Sequence, residues 1–188
     1  YIKEMQKRTD IPILLVTHSF AETLTLGDKA IILNEGKIVK SGSPYSLLNL
    51  RNNISGFPVE SIVNYMKGVV TDKSNLYDEV GTVHVQGTDF NVPLDGFDVG
   101  TEVILQFSAR DLIVSTDKPK NVSARNILYG RVSLLKSMGT SFLITVYIKP
   151  KLGLDVELTS ESIDRLGIIE GSKIFVMLKS SSCTINKY

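Results

Sequence analysis

The residue whose type and setting most invite chemistry is His18, within residues 11–44, IPILLVTHSFAETLTLGDKAIILNEGKIVKSGSP. It follows an apolar run suited to a buried strand and precedes a helix pattern. That setting puts an imidazole at the C-terminal edge of a strand, where α/β proteins bind ligands. An imidazole there could equally cap the helix or face solvent. A second group lies far downstream: Ser123 and Arg125, then Thr159 and Ser162, then Lys179 and Ser180. Hydroxyls and cations together supply directed donors and positive charge. Taken singly, each has a plainer use. Thr159 with Ser162 three positions on is a helix-start pattern, Arg125 can pair with a carboxylate, Lys179 can be a solvated charge, and Ser180 to Ser182 can be a polar strand end. The Gly36-Lys37 pair lies in a hairpin turn, and no G-x-x-x-x-G-K-[ST] loop cradles a phosphate. His84 falls on the polar side of an alternating strand and reads as a surface residue. Cys183 reads as a small buried hydrophobe.

The elements that must position these residues change character along the chain. Residues 1–8 suggest a polar helix broken by Asp10 and Pro12. Ile13 to Val16 suggest a buried parallel strand, with Ser19 as the N-cap of a helix over 20–26 that ends at Gly27. Ala30 to Leu33 and Lys37 to Lys40 form an antiparallel pair around Asn34-Glu35-Gly36, and a short helix covers 44–50. Residues 51–58 read as a linker. A helix over 59–66 would carry Val59, Ile62, Val63 and Met66 on one face. Thereafter the period is two: Val83 and Val85; Val103, Leu105 and Phe107; Phe142, Ile144, Val146 and Ile148; Leu154, Val156 and Leu158; Ile174, Val176 and Leu178. This is the pattern of small antiparallel barrels. A weak repeat relates Gly68-Val69-Val70 to Gly130-Arg131-Val132, and Gly100-Thr101-Glu102-Val103 to Gly171-Ser172-Lys173-Ile174. Two related five-strand lobes follow, about 67–116 and 121–188, joined by residues 117–120.

Composition narrows the function classes. The chain has 188 residues with 43% hydrophobic and 22% charged residues, ordinary for a soluble globular protein. A net charge of +1, no Trp and 7% aromatics give neither the field nor the stacking surface of a nucleic-acid binder. No apolar run is long enough to span a bilayer, and the first residues lack a signal peptide's apolar block. The single Cys183 cannot form an intrachain disulfide, which points to a reducing cytosol.

Over residues 1–52, the order V-T-H, an apolar strand ending in L-N-E-G-K-I, and S-G-S-P resembles the end of ABC-transporter ATPase domains. In that family a switch histidine contacts the γ-phosphate and helps to orient the attacking water, and His18 matches it. The family's P-loop, Walker B aspartate, catalytic glutamate and signature motif would all precede Tyr1. Hydrolysis of ATP by this chain alone is therefore not expected, and ATP with Mg belongs to the full-length parent. His18 is expected to be silent here.

Over the last third, S-A-R-N-x-L-x-G-x-V from Ser123, T-x-x-S-x-x-x-L-G-I from Thr159 and K-S-S from Lys179 resemble the molybdate-binding Mop domain of the TOBE family. Phe107-Ser108-Ala109-Arg110-Asp111 resembles the matching edge of a more degenerate first unit. The resemblance implies a mainly β fold: two OB-like TOBE/Mop barrels preceded by an α/β piece of an ABC ATPase domain, with residues 53–66 as linker and short helix. It implies molybdate or tungstate as ligand, held by Ser123, the Ala124 backbone, Arg125, Lys179 and Ser180, with Thr159 and Ser162 from a partner chain. It further implies a homodimer or higher homo-oligomer, permease subunits as partners, a place on the cytoplasmic face of the membrane, and control of transport by the oxyanion. Two other readings stay open. One is a TOBE module used only for dimerisation or regulatory docking in a sugar, polyamine, iron or sulfate importer. The other is a freestanding molybdate store or sensor.

Overall fold

The computed structural model describes residues 5, 8–9, 11–17, 20–48, 62–73 and 79–187. The chain divides into two compact units, Tyr1–Val59 with Tyr188, and Glu60–Lys187. No helix among the described residues is long and apolar enough to cross a membrane.

In the first unit, α1 (Phe20–Leu26) is closed by Gly27, whose N–H donates to the Thr23 carbonyl at 3.0 Å. Strands β1 (Ala30–Asn34) and β2 (Lys37–Gly42) pair antiparallel, Asn34 opposite Lys37. Glu35 and Gly36 between them both have positive φ, 48° and 74°, which is the turn that matches the twist of a two-residue hairpin. This confirms Gly36-Lys37 as a hairpin turn and not a phosphate loop. Helix α2 (Pro44–Leu48) starts at Ser43, whose hydroxyl accepts from the Ser46 N–H at 3.3 Å. Among the described residues of this unit, Leu24, Ile32 and Leu47 are the buried apolar ones.

The strand expected over Ile13 to Val16 does not form. These residues are irregular and exposed, Leu14 by 91% and Val16 by 88%. A parallel strand exists only through neighbouring strands, and none lies beside this run among the described residues. His18, Ser19 and the linker over 51–58 lie outside the described residues.

The second unit is built from two five-stranded antiparallel sheets. The first has the order β12-β6-β3-β4-β5, from β3 (Val63–Asp72), β4 (Val80–Val85), β5 (Thr88–Pro93), β6 (Glu102–Ser108) and β12 (Thr184–Lys187). The second has the order β10-β9-β8-β11-β7, from β7 (Ile113–Ser115), β8 (Asn126–Ser137), β9 (Ser141–Lys149), β10 (Leu152–Thr159) and β11 (Lys173–Leu178). The period-two residues point inward as their alternation requires: Val103, Leu105, Ile144, Val146, Leu154, Val156, Ile174 and Val176 are all fully buried. They belong to one continuous apolar core shared by both sheets.

Residues 63–66 are strand, not the end of a helix as their spacing suggested. The inward positions of β3 are Asn64, Met66, Gly68 and Val70, so a polar residue and a glycine interrupt the apolar alternation that would have marked a strand.

The repeat is structural. The Val70 N–H bonds the Thr101 carbonyl at 3.0 Å and the Gly100 N–H bonds the Val70 carbonyl at 2.8 Å. In the second lobe Val132 does the same with Ser172 and Gly171, at 2.9 and 2.8 Å. The longer connection before Gly171 holds α3 (Ser160–Leu166). Each half lends its last strand to the other's sheet. β7 pairs with β11, Ile113 opposite Met177, and β12 pairs with β6, Ile185 opposite Leu105.

Candidate anion site at the edge of the second lobe

Pairing of β8 with β11 sets Asn126 opposite Leu178. One step beyond that pair, just outside the two strands, stand Arg125 and Lys179, so two blocks far apart in sequence meet at one end of the β8–β11 pair. Ser123, Arg125 and Lys179 are exposed, and Ala124 is half-buried. After Lys179 the chain makes a single 3₁₀ turn, Ser180–Ser182, closed by the Ser182 N–H to the Lys179 carbonyl and the Cys183 N–H to the Ser180 carbonyl. This turn packs on β5 of the first lobe. Ser180 is buried at 8% exposure, and its hydroxyl has no hydrogen-bond partner among the described residues. A buried hydroxyl without a partner costs about 1–3 kcal/mol, and an acceptor oxygen brought to it would recover that.

The middle block is held elsewhere. Thr159 is the N-cap of α3; its hydroxyl accepts from the Ser162 N–H at 3.2 Å and lies 2.9 Å from the Ser162 hydroxyl. The capping role is therefore real. Thr159 pairs with Ser141, and the β8 residue nearest that register is Ser137. Asn126 and Ser137 are the two ends of twelve-residue β8, roughly 35–40 Å of extended chain. The structure brings the first and last blocks together and sets the middle block a strand's length away.

The first lobe repeats the turn with different chemistry. Ala109–Asp111 is its 3₁₀ turn, with the Ser108 hydroxyl accepting from the Arg110 N–H at 3.2 Å. It has buried Ala109 where the second lobe has Ser180. Arg110 is committed to Glu157 of β10 at 2.9 Å, and that hydrogen bond, then the charge of Glu157, raise its already high pKa. The first-lobe turn thus lacks the hydroxyl that Ser180 brings to the second.

Cys183 is 3% exposed, and burial, then the negative charge of Asp111, push its thiol up to about 12. It is core, as its setting suggested. His84 is a half-exposed turn brace: Nδ1 lies 2.7 Å from Asp89, and Nε2 accepts from the Gly87 N–H at 3.2 Å.

One residue of this edge escaped the reading of the sequence. Asn126 is 2% exposed. Its Oδ1 accepts from the Asn91 N–H at 2.7 Å, and its Nδ2 donates to the carbonyls of Asn91 at 3.0 Å and Leu178 at 3.3 Å. In the first lobe Asn64 makes the matching pair of bonds with Asp155 of β10, both at 2.8 Å. The signal was present in the repeat, since Asn64 stands four residues before Gly68 as Asn126 stands four before Gly130.

The TOBE domain family model matches residues 122–185, from the opening block through the strand after the 3₁₀ turn. Residues 122–185 are a TOBE domain. Relatives extend beyond it. The molybdenum import ATP-binding protein ModC 2 of Azotobacter vinelandii is 33% identical over 184 residues, 95% of this chain and 50% of that protein. ModC of Mesorhizobium japonicum is 30% identical over 188 residues, 97% of this chain and 49% of the relative. ModC of Rhizobium johnstonii is 26% identical over 183 residues, 96% and 50%. The chain spans about half the length of the curated relatives it matches, and the match covers the N-terminal unit as well as the TOBE domain. This agrees with the C-terminal part of an ABC-type ATP-binding protein. Among solved structures, the cytoplasmic molybdate-binding protein ModG, with molybdate bound, superposes with a TM-score of 0.60 at 20% identity, over 70% of this chain and 100% of that one. The shared fold is the two-lobed TOBE/Mop arrangement preceded here by the α/β unit.

Proposed function

We propose that this chain is the regulatory C-terminal portion of the ATP-binding protein of a molybdate or tungstate ABC importer, and that it binds the oxyanion to control transport. The observation that carries the reading is the meeting of Arg125 and Lys179 beside Ser180, whose hydroxyl is buried without a partner among the described residues. A tetrahedral dianion has several acceptor oxygens and needs directed donors with partial charge compensation. Ser123, the Ala124 backbone, Arg125, Lys179 and Ser180 would supply both. Thr159 and Ser162, set a strand's length away in the same chain, would reach the site from a second copy, which makes the site shared in a homodimer or higher assembly.

A shared site gives the ligand unequal affinity for two arrangements of the subunits, and only such a difference shifts an equilibrium. In the full transporter the subunit would sit on the cytoplasmic face against the permease, with ATP and Mg acting upstream of this chain. His18 would be the parent's switch histidine, silent in this chain alone.

Calorimetric titration with sodium molybdate tests the reading. Saturable binding is expected, weakened at least tenfold by Arg125→Ala or Ser180→Ala and unmatched by sulfate. No heat up to high micromolar ligand would overturn it. Binding lost in none of these variants would favour a module used only for docking or dimerisation.

A further inference from the structure

We propose that Asn126, which donates no group to the anion, is the positioning residue of this site and ties its two cations to the first lobe. The inference rests on the anion-binding reading above. Asn126 directly follows Arg125 in the chain, and its Nδ2 donates at 3.3 Å to the carbonyl of the peptide that joins Leu178 to Lys179. One buried amide therefore adjoins both cationic residues, one through the backbone and one through a hydrogen bond that fixes the peptide plane before Lys179. The same side chain binds Asn91 of β5 in the two-point manner of a neighbouring strand, accepting at 2.7 Å and donating at 3.0 Å. Ser180–Ser182 packs on that same strand.

Ser123, Arg125 and Lys179 are exposed, and long exposed side chains carry large rotamer entropy. Setting the backbone beneath them is what makes a small anion's donors converge. With all three Asn126 bonds to backbone atoms, the positions of Arg125, Lys179 and β5 become mutually dependent.

The repeat supplies the control. Asn64 forms the equivalent two-point clip with Asp155 at 2.8 Å in each direction, yet adjoins neither cation. Asn126→Ala and Asn64→Ala each remove one clip between the lobes. With sodium molybdate as titrant on the 188-residue chain, Asn126→Ala is expected to raise Kd at least tenfold and Asn64→Ala less than threefold. Equal weakening by both would show a purely structural role and overturn the inference.

A measurement on the unaltered chain does not depend on a variant folding. In a nitrogen-15 NMR titration with molybdate, the Asn126 side-chain amide and the Asn91 backbone amide are expected to shift together with Lys179. Movement of Lys179 with both asparagine signals stationary would overturn the proposal. Absence of any molybdate binding removes the functional reading and the inference together, whereas binding that Asn126→Ala leaves within threefold removes the inference alone.

Discussion

Cys183 shows how position, not residue type, decides reactivity. Its Sγ lies 3.7 Å from the Lys179 carbonyl, inside the core, and burial with the nearby Asp111 charge holds the thiol protonated up to about 12 against an ordinary 9.0. The thiolate is the nucleophile, so native protein at pH 8 should react with a thiol reagent far more slowly than the unfolded chain; equal rates would contradict the burial. The linkage has a definite sign. A folded pKa above the unfolded one means that the native state keeps its proton while the unfolded state loses it. Stability from this group is therefore full below pH 9 and falls as pH rises from 9 toward 12. Chemical denaturation between pH 9 and 11 should show wild type losing ground to Cys183→Val, and parallel curves would refute it. At this scale the sequence drew attention to Arg125, Lys179 and Ser180 through the resemblance of their blocks, and the β8–β11 register sets Arg125 and Lys179 at one end of the strand pair. Asn126 was passed over because a buried asparagine announces itself only once its partners, Asn91 and Leu178, are known to be adjacent.

Elements were legible where one rule acted alone. Strand β10 alternates cleanly, and β4, β6, β9 and β11 keep their period-two residues inward while burying a neighbour on the other face as well. Strand β3 was not legible, since Asn64 and Gly68 occupy inward positions and the remaining Ile62, Val63 and Met66 mimic helical spacing. Ile13 to Val16 failed for a different reason: an apolar run states that a strand wants neighbours, not that it has them. Glycine at the strand crossings is a packing requirement. A Cβ on Gly130 would lie 2.7 Å from the Tyr147 carbonyl oxygen and 2.8 Å from side-chain carbons of Val146 and Ile148. Backbone cannot yield as a flexible side chain does. Gly130→Ala should cost about 1–3 kcal/mol by overpacking, measured by urea denaturation with an unchanged slope. A loss under about 0.5 kcal/mol would mean that the β8–β9 pair is looser than the geometry indicates.

For the whole molecule, the repeat predicted two lobes, and the sheets show them joined by exchange: β7 belongs by sequence to the first lobe and by pairing to the second, and β12 the reverse. No local pattern could reveal this, because a strand's alternation specifies its faces but not which edge it joins. Three or four residues suffice for each exchanged strand, Ile113–Ser115 and Thr184–Lys187. The Asn126–Asn91 and Asn64–Asp155 bonds then cross between the lobes in matching places. A ligand held, as proposed, at the end of the β8–β11 pair would be bound by a lobe that shares strands and hydrogen bonds with its neighbour.

The exchange also decides what happens to fragments. A piece ending at residue 116 would leave β6 without β12, its edge N–H and C=O groups open beside Val103, Leu105 and Phe107. A piece beginning at residue 121 would leave β11 without β7. Open edges recruit strands from other molecules. Either piece expressed alone should run on size-exclusion chromatography as aggregates or intertwined oligomers, while the two co-expressed should recover one soluble complex of the size of the intact chain. A monodisperse, folded monomer from either piece would contradict the pairing. The natural counterpart is that a break in the 117–120 connection need not be lethal: a nicked molecule would be held shut by its own borrowed strands.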